Sequence, residues 1–176
     1  MHGKNEIIAN KGGLVSPLFL YLEMNKELVE QIINDTLGAN GPLFLISLEF
    51  LKDNKISVII DGDEGVALSE CIRISKAVDA ELDREEEDFS LEVSSLDVTN
   101  PLVVFRQFKK KIGRTLSVKT AEEKIEGKLV EVIGDDIVLN WSAREPKPIG
   151  KGKVTVQKSA TIPYKNIVEA KVKLIF

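Results

Sequence analysis

The stretch FSLEVSSLDVTNPLVVFRQF, residues 89–108, decides how this chain is read. It opens with Phe89, Leu91 and Val93 alternating with Ser90, Glu92 and Ser94, the pattern of a strand with one apolar face. It then meets Asn100-Pro101, and a proline biases the residue before it away from helix. It closes on Phe105 and Phe108, spaced i, i+3 among basic residues, which predicts one or two helical turns over residues 103–111. Charge changes sign across the same stretch. Residues 25–100 carry 6 Lys+Arg against 18 Asp+Glu, a net of −12, and residues 101–176 carry 16 against 8, a net of +8. Such asymmetry predicts two modules with different partners, a polyanion being the natural partner of the basic one. The expected division is an unstructured extension at 1–23, an acidic α+β domain at 24–95, a linker at 96–101 and a basic domain at 102–176.

Toward the N-terminus, Asn25 is placed to cap a helix over residues 25–37, with Leu28, Val29, Ile32, Ile33 and Leu37 on one stripe and Gly38 as its stop. Residues 43–52 and 55–61 read as strands of a hairpin turning at Asp53-Asn54. A second helix is expected from a Ser69 cap to about residue 83, with Leu68, Ile72, Ser75, Val78 and Leu82 on one face. The first module is therefore α-β-β-α-β. Toward the C-terminus, residues 115–120, 128–133, 137–142, 154–162 and 168–175 alternate as strands, and 143–152, rich in Pro and Gly, reads as a mobile loop. Five short strands predict a small closed barrel of the SH3-like or Sm-like type. The expected fold class is α+β, an N-terminal α-β-β-α-β domain followed by that barrel.

No apolar run approaches the ~18 residues needed to span a bilayer. Within residues 1–23, Lys4 and Lys11 imitate the start of a secretory signal, but Pro17 interrupts the apolar run and no small-x-small cleavage pattern follows. The lone cysteine, Cys71, forms no internal disulfide and fits a reducing, cytoplasmic setting. Its place in an apolar helical pattern marks it as core rather than nucleophile. His2 is the lone histidine, which removes Ser-His-Asp and Cys-His arrangements and histidine-based metal sites. No Gly-rich loop matches a nucleotide fingerprint, and Asp61-Gly62-Asp63-Glu64-Gly65 lacks the spacing of a calcium loop. Adjacent carboxylates at Asp135 and Asp136 point apart on a turn. No enzyme, cofactor or metal is expected.

The candidate contacts are electrostatic. Arg106, Lys109, Lys110, Lys111 and Arg114 place five cations within nine positions, suited to phosphate and equally to a solvated helix face. Arg144, Lys147, Lys151 and Lys153 lie in the Pro/Gly segment, as an RNA-reaching loop or a plain solubilising one. Aromatic residues are 6% of the chain, so base stacking on an aromatic platform is a poor fit. Asp83, Glu85, Glu86, Glu87 and Asp88 form an acidic run, suited to a basic protein or to a solvated helix end.

Several fragments resemble one family. Phe89-Ser90-Leu91-Glu92-Val93-Ser94-Ser95 resembles the "YSLEVSSPG" strand of the bacterial ribosome maturation factor RimP family. Pro101-Leu102, Phe105-Arg106-Gln107-Phe108 and Ile112-Gly113-Arg114 resemble its "RPL…FRRFIGR" stretch. Gly65-Val66-Ala67-Leu68-Ser69-Glu70-Cys71 is similar to its "GITLDDC", and Ile162-Pro163-Tyr164-Lys165-Asn166-Ile167 with Ala170 to its "IPFDNI…A". Two departures stand at the junction: Ser95 is followed by Leu96-Asp97-Val98 instead of Pro-Gly, and Asn100 replaces a basic residue. The resemblance implies a non-enzymatic factor for maturation of the small (30S) ribosomal subunit, and the chain is expected to be a monomer. Its implied partners are the immature free subunit, its ribosomal RNA and small-subunit ribosomal protein twelve. The alternative from a different class is an Sm-like regulator acting on small RNAs or messages, although the first module would obstruct the ring such proteins form.

Overall fold

The computed structural model describes residues 8–10, 13–15, 17–82 and 88–176, with side chains from residue 25 onward. The chain divides into two compact units, Met1–Ser95 and Leu96–Phe176.

The first unit opens with a two-stranded antiparallel pair, β1 (Ile8–Asn10) and β2 (Gly13–Val15), and a helix α1 (Pro17–Leu37). The cap expected at Asn25 is corrected, since α1 already begins at Pro17, and the described strands β1 and β2 fall within the stretch expected to be unstructured. Proline is favoured in the first helical turn, where its missing N–H costs nothing. Val29, Ile33 and Leu37 are the buried stripe of α1, and Gly38 ends it at φ +80° with its N–H bonded to Asn34 O at 3.0 Å.

Three strands follow, β3 (Leu43–Leu51), β4 (Lys55–Gly62) and β5 (Ser90–Ser95), in the order β3-β4-β5. The β3–β4 pair is antiparallel, and its turn holds Asp53 and Asn54 at φ 60° and 53°, a region these two side chains tolerate. β5 joins β4 in parallel after the crossover helix α2 (Leu68–Glu81). Ile56, Val58 and Ile60 face the helices, and Cys71, Ile74, Val78 and Leu82 close the core from α2. Helix α2 differs from its sequence reading in two ways. Its N-cap is Ala67, with no side-chain cap, and Leu68 and Ile72 are exposed. Two apolar stripes compete on this helix, and the one carrying Cys71, Ile74 and Val78 meets the sheet.

The second unit begins with a one-turn helix, α3 (Arg106–Lys109). Then come β6 (Thr115–Thr120), β7 (Lys124–Ile133), β8 (Asp136–Pro146), β9 (Lys153–Pro163) and β10 (Ile167–Val172). They form one five-stranded antiparallel sheet in the order β10-β6-β7-β8-β9. Leu116, Val118, Ile125, Leu129, Ile137, Leu139, Ile162 and Ala170 share one core with Phe108. The expected closed barrel is not found: among the described residues no ladder joins β9 to β10. β9 ends at Pro163, which has no N–H to extend a ladder, and a 3-10 turn, Tyr164–Asn166, leads away to β10. A cleft lined by Ala160, Ile162, Ile167, Val168 and the β6–β7 turn separates the two edges.

Residues 143–152 are not the mobile loop expected from their Pro and Gly content. In place of a ten-residue loop, β8 and β9 remain paired from Asp136↔Pro163 out to Pro146↔Lys153. The β7–β8 ladder ends at Lys128↔Asn140. Beyond it, β8 pairs with β9 alone, so residues 141–158 form a two-stranded ribbon, and only residues 147–152 are loop.

Candidate nucleic-acid interface

The first basic cluster is built on a fixed support. Phe108 is fully buried, and its ring lies 5.8 Å from Phe105 and 6.0 Å from Tyr164, with 5.1 Å between Phe105 and Tyr164. Two of these contacts are tilted and the Phe108–Tyr164 pair is edge-on, and aromatic contacts of this kind add to simple burial. Gln107 is also fully buried, and its Oε1 accepts the backbone N–H groups of Val103 at 2.7 Å and Val104 at 3.0 Å. Those N–H groups have no helical partner at the start of α3, so the side chain satisfies them. The Tyr164 hydroxyl donates to Val103 O at 2.7 Å, and the Leu102 N–H to Ala170 O at 2.8 Å. With Gln107 and Phe108 turned inward, Arg106 and Lys109 are exposed and Lys110 and Lys111 half-buried. Gly113, at φ +90°, donates its N–H to Leu129 O at 2.7 Å and leads to exposed Arg114. Lys109 and Arg114 make no ion pair with any described residue.

The second cluster lies on the ribbon. Antiparallel partners share a face, so Ser142/Gln157, Arg144/Thr155 and Pro146/Lys153 lie on one side and Trp141/Lys158, Ala143/Val156 and Glu145/Val154 on the other. The first side is polar and cationic, and the Ser142 hydroxyl bonds Gln157 Oε1 at 3.1 Å. On the second, Lys158 pairs with Glu145. Arg144, Lys147, Lys151 and Lys153 are exposed and make no ion pair with any described residue. The Lys147 N–H closes the tip loop on Gly152 O at 3.1 Å. The two clusters stay separate along β7. Gly113 and Arg114 bond to Leu129 from the β6 side, whereas the ribbon departs on the β8 side after Asn140.

Sequence reasoning missed a further row of cations on the outer face of the sheet. Lys119, Lys124, Lys128, Lys171 and Lys173 alternate with the buried residues of β6, β7 and β10 and with the segment just after β10. Strand alternation alone was enough to place them. Glu126 pairs with Lys173 and, at 3.3 Å, with Lys124, and the hydrogen bond from Lys173 holds its carboxyl below the ordinary glutamate range. Glu169 pairs with Lys171 at 3.3 Å. Lys119 and Lys128 have no such partner among the described residues.

The acidic run is only partly visible. Asp83, Glu85, Glu86 and Glu87 lie outside the described residues, and Asp88 is exposed, its carbonyl accepting from Asn54 Nδ2 at 3.1 Å. Among the described residues, no group of three or more His, Cys, Asp or Glu is placed to hold a metal ion, and no helix is long and apolar enough to cross a membrane.

Comparison with known proteins gives this arrangement a family. A family model described as the RimP N-terminal domain matches residues 32–96. Proteins named ribosome maturation factor RimP align along nearly all of their own length. The one from Christiangramia forsetii is 53% identical over 153 residues, 87% of this chain and 100% of its own. That from Flavobacterium psychrophilum is 51% identical over 151 residues, 86% of this chain and 98% of its own. That from Porphyromonas gingivalis is 34% identical over 149 residues, 84% of this chain and 97% of its own. The chain belongs to the ribosome maturation factor RimP family.

Proposed function

We propose that this protein is a non-enzymatic, cytoplasmic assembly factor that binds the immature free 30S subunit as a monomer and holds a protein–RNA region in an assembly-competent arrangement. The carrying observation is the pairing of near-complete alignment to named ribosome maturation factors with two basic clusters in the second unit, each carrying exposed cations. Arg106, Lys109, Lys110, Lys111 and Arg114 present cations from a rigid support, and Arg144, Lys147, Lys151 and Lys153 from a ribbon. Both are suited to ribosomal RNA phosphates, whose neutralisation releases counterions. The acidic residues of the first unit, Asp88 and the run 83–87 among them, face a basic ribosomal protein in this reading. Family resemblance points to small-subunit protein twelve.

The test is sedimentation of a lysate containing tagged protein. Co-migration with free small subunits, absence from joined ribosomes, weakening by salt and loss on charge reversal of Lys109, Lys110 and Lys111 are expected. Migration only at the top of the gradient at low salt would overturn the reading and turn attention to small-RNA partners.

A further inference from the structure

We propose that the tip of the β8–β9 ribbon is a wedge for structured RNA. Ile149 enters an opened base step, and Arg144, Lys147, Lys151 and Lys153 sit on the flanking phosphates. The proposal rests on the RNA-contact reading above and states how that contact is made.

The ribbon is built to reach. Residues 141–146 of β8 have no β7 partner, and at 3.3 Å per residue they give the arm a contour of about 20 Å past the last three-stranded row, starting from Trp141, which packs on the core. Every residue from Pro146 to Thr155 is exposed. At the apex stands Ile149, 90% exposed, between Pro148 and Gly150 and flanked further out by Lys147 and Lys151. A lone exposed isoleucine needs no explanation by itself. This one stands at the end of a two-stranded arm, centred among four cations with no ion-pair partner among the described residues. Pro146 and Pro148 fix φ on the approach, and the Lys147–Gly152 backbone bond closes the loop, so less order is lost on docking.

The chemistry of the partner follows. Four unneutralised cations around one aliphatic side chain match a surface that is anionic at its rim and apolar at its centre. A nucleic acid opened at one base step has that pattern, phosphates outside and base faces within. Single strands are the poorer fit, because the ribbon carries no aromatic platform beyond Trp141 at its base. A regular A-form helix is also a poor fit, since its major groove is too narrow for side chains to read. A bulge or junction, where stacking is already broken, is the site the arm fits.

The probes are an RNA hairpin interrupted by a bulge carrying 2-aminopurine and the same hairpin fully paired, titrated with full-length protein across salt concentrations. The wild type is expected to prefer the bulged hairpin and to raise its fluorescence. Ile149→Ala should weaken binding to it about tenfold and remove the fluorescence rise, with the salt dependence unchanged. Lys147→Ala combined with Lys151→Ala should reduce the salt slope by about 1.5 to 2. Equal binding and equal fluorescence for Ile149→Ala and wild type would overturn the wedge, and continued sedimentation of both with free small subunits would leave the assembly reading intact. No binding of wild type to either hairpin, with subunit association lost in Ile149→Ala, would show that the tip docks on protein and would also overturn the wedge. Tip-dependent unstacking by a chain that never sediments with small subunits would uphold the wedge and overturn the assembly reading.

Discussion

In α3 the cations flank buried residues, whereas in the β8–β9 ribbon they stand on strands that pair only with each other. Arg106 and Lys109 bracket Gln107 and Phe108, both fully buried, and the segment before them is held by Gln107 and Tyr164. Arg144 and Lys153 face solvent on a two-stranded arm of the kind that is marginal in isolation. The contrast separates two uses of positive charge. A cluster on a packed support is fixed by the core beneath it, and a cluster on an arm depends only on the pairing of β8 with β9 and on the closed tip loop. Substitutions should therefore cost stability in the first region and binding alone in the second.

The largest effect should come from Phe108→Ala. Removing a fully buried ring from its packing against Phe105 and Tyr164 is expected to destabilise the second unit by about 3–5 kcal/mol. Urea unfolding followed by Trp141, the chain's only tryptophan, measures it. A loss under about 1 kcal/mol would mean that the support is not where the structure puts it. Next is Gln107→Leu, which leaves the Val103 and Val104 N–H groups without the side-chain acceptor and should cost about 1–3 kcal/mol. Hydrogen exchange at those two amides should rise selectively. On the ribbon, joint replacement of Arg144 and Lys153 by Gln should change stability by no more than about 0.5 kcal/mol. The same replacement should lower the salt slope of RNA binding by roughly one unit for each phosphate left unneutralised. Equal stability losses in the two regions would break the contrast.

The contrast also shows which parts are legible in sequence. The β3–β4 hairpin is readable because Asp53-Asn54 is local turn chemistry between alternating strands. The exposure of Arg106, Lys109, Arg114 and the ribbon cations follows from their charge. The burial of Gln107 does not, since a glutamine between Arg106 and Phe108 reads as surface until two backbone donors are seen to need its oxygen. The ribbon reads as loop because Pro146, Pro148, Gly150 and Gly152 are local breakers, whereas the pairing of residues 143–146 with 153–156 is tertiary. The start of α1 and the buried face of α2 escape the sequence for a related reason. Propensity allows more than one helix start and more than one apolar stripe, and on α2 the stripe of Cys71, Ile74 and Val78 is the one that joins the core with Ile56, Val58 and Ile60 of β4.

The smallest expected effect is a pH dependence that belongs to neither patch and so serves as their control. Glu126, on the outer face of β7, is held below the ordinary glutamate range chiefly by its hydrogen bond from Lys173, with Lys124 adding to it. A carboxyl whose folded pKa is depressed contributes stability that is fully present above its unfolded pKa and is lost as pH falls through the folded one. Stability of the second unit should therefore be flat from neutral pH down to the usual glutamate range and decline below it. Lys173→Met should flatten that acid limb in urea titrations at several pH values while leaving neutral stability almost unchanged, because exposed pairs contribute little in water. Lys147→Met on the ribbon tip removes a cation that has no carboxylate partner among the described residues, and it should leave the acid limb as it was. If both variants change the limb equally, the ribbon's cations are engaged with carboxylates of the protein and are not held open for a partner.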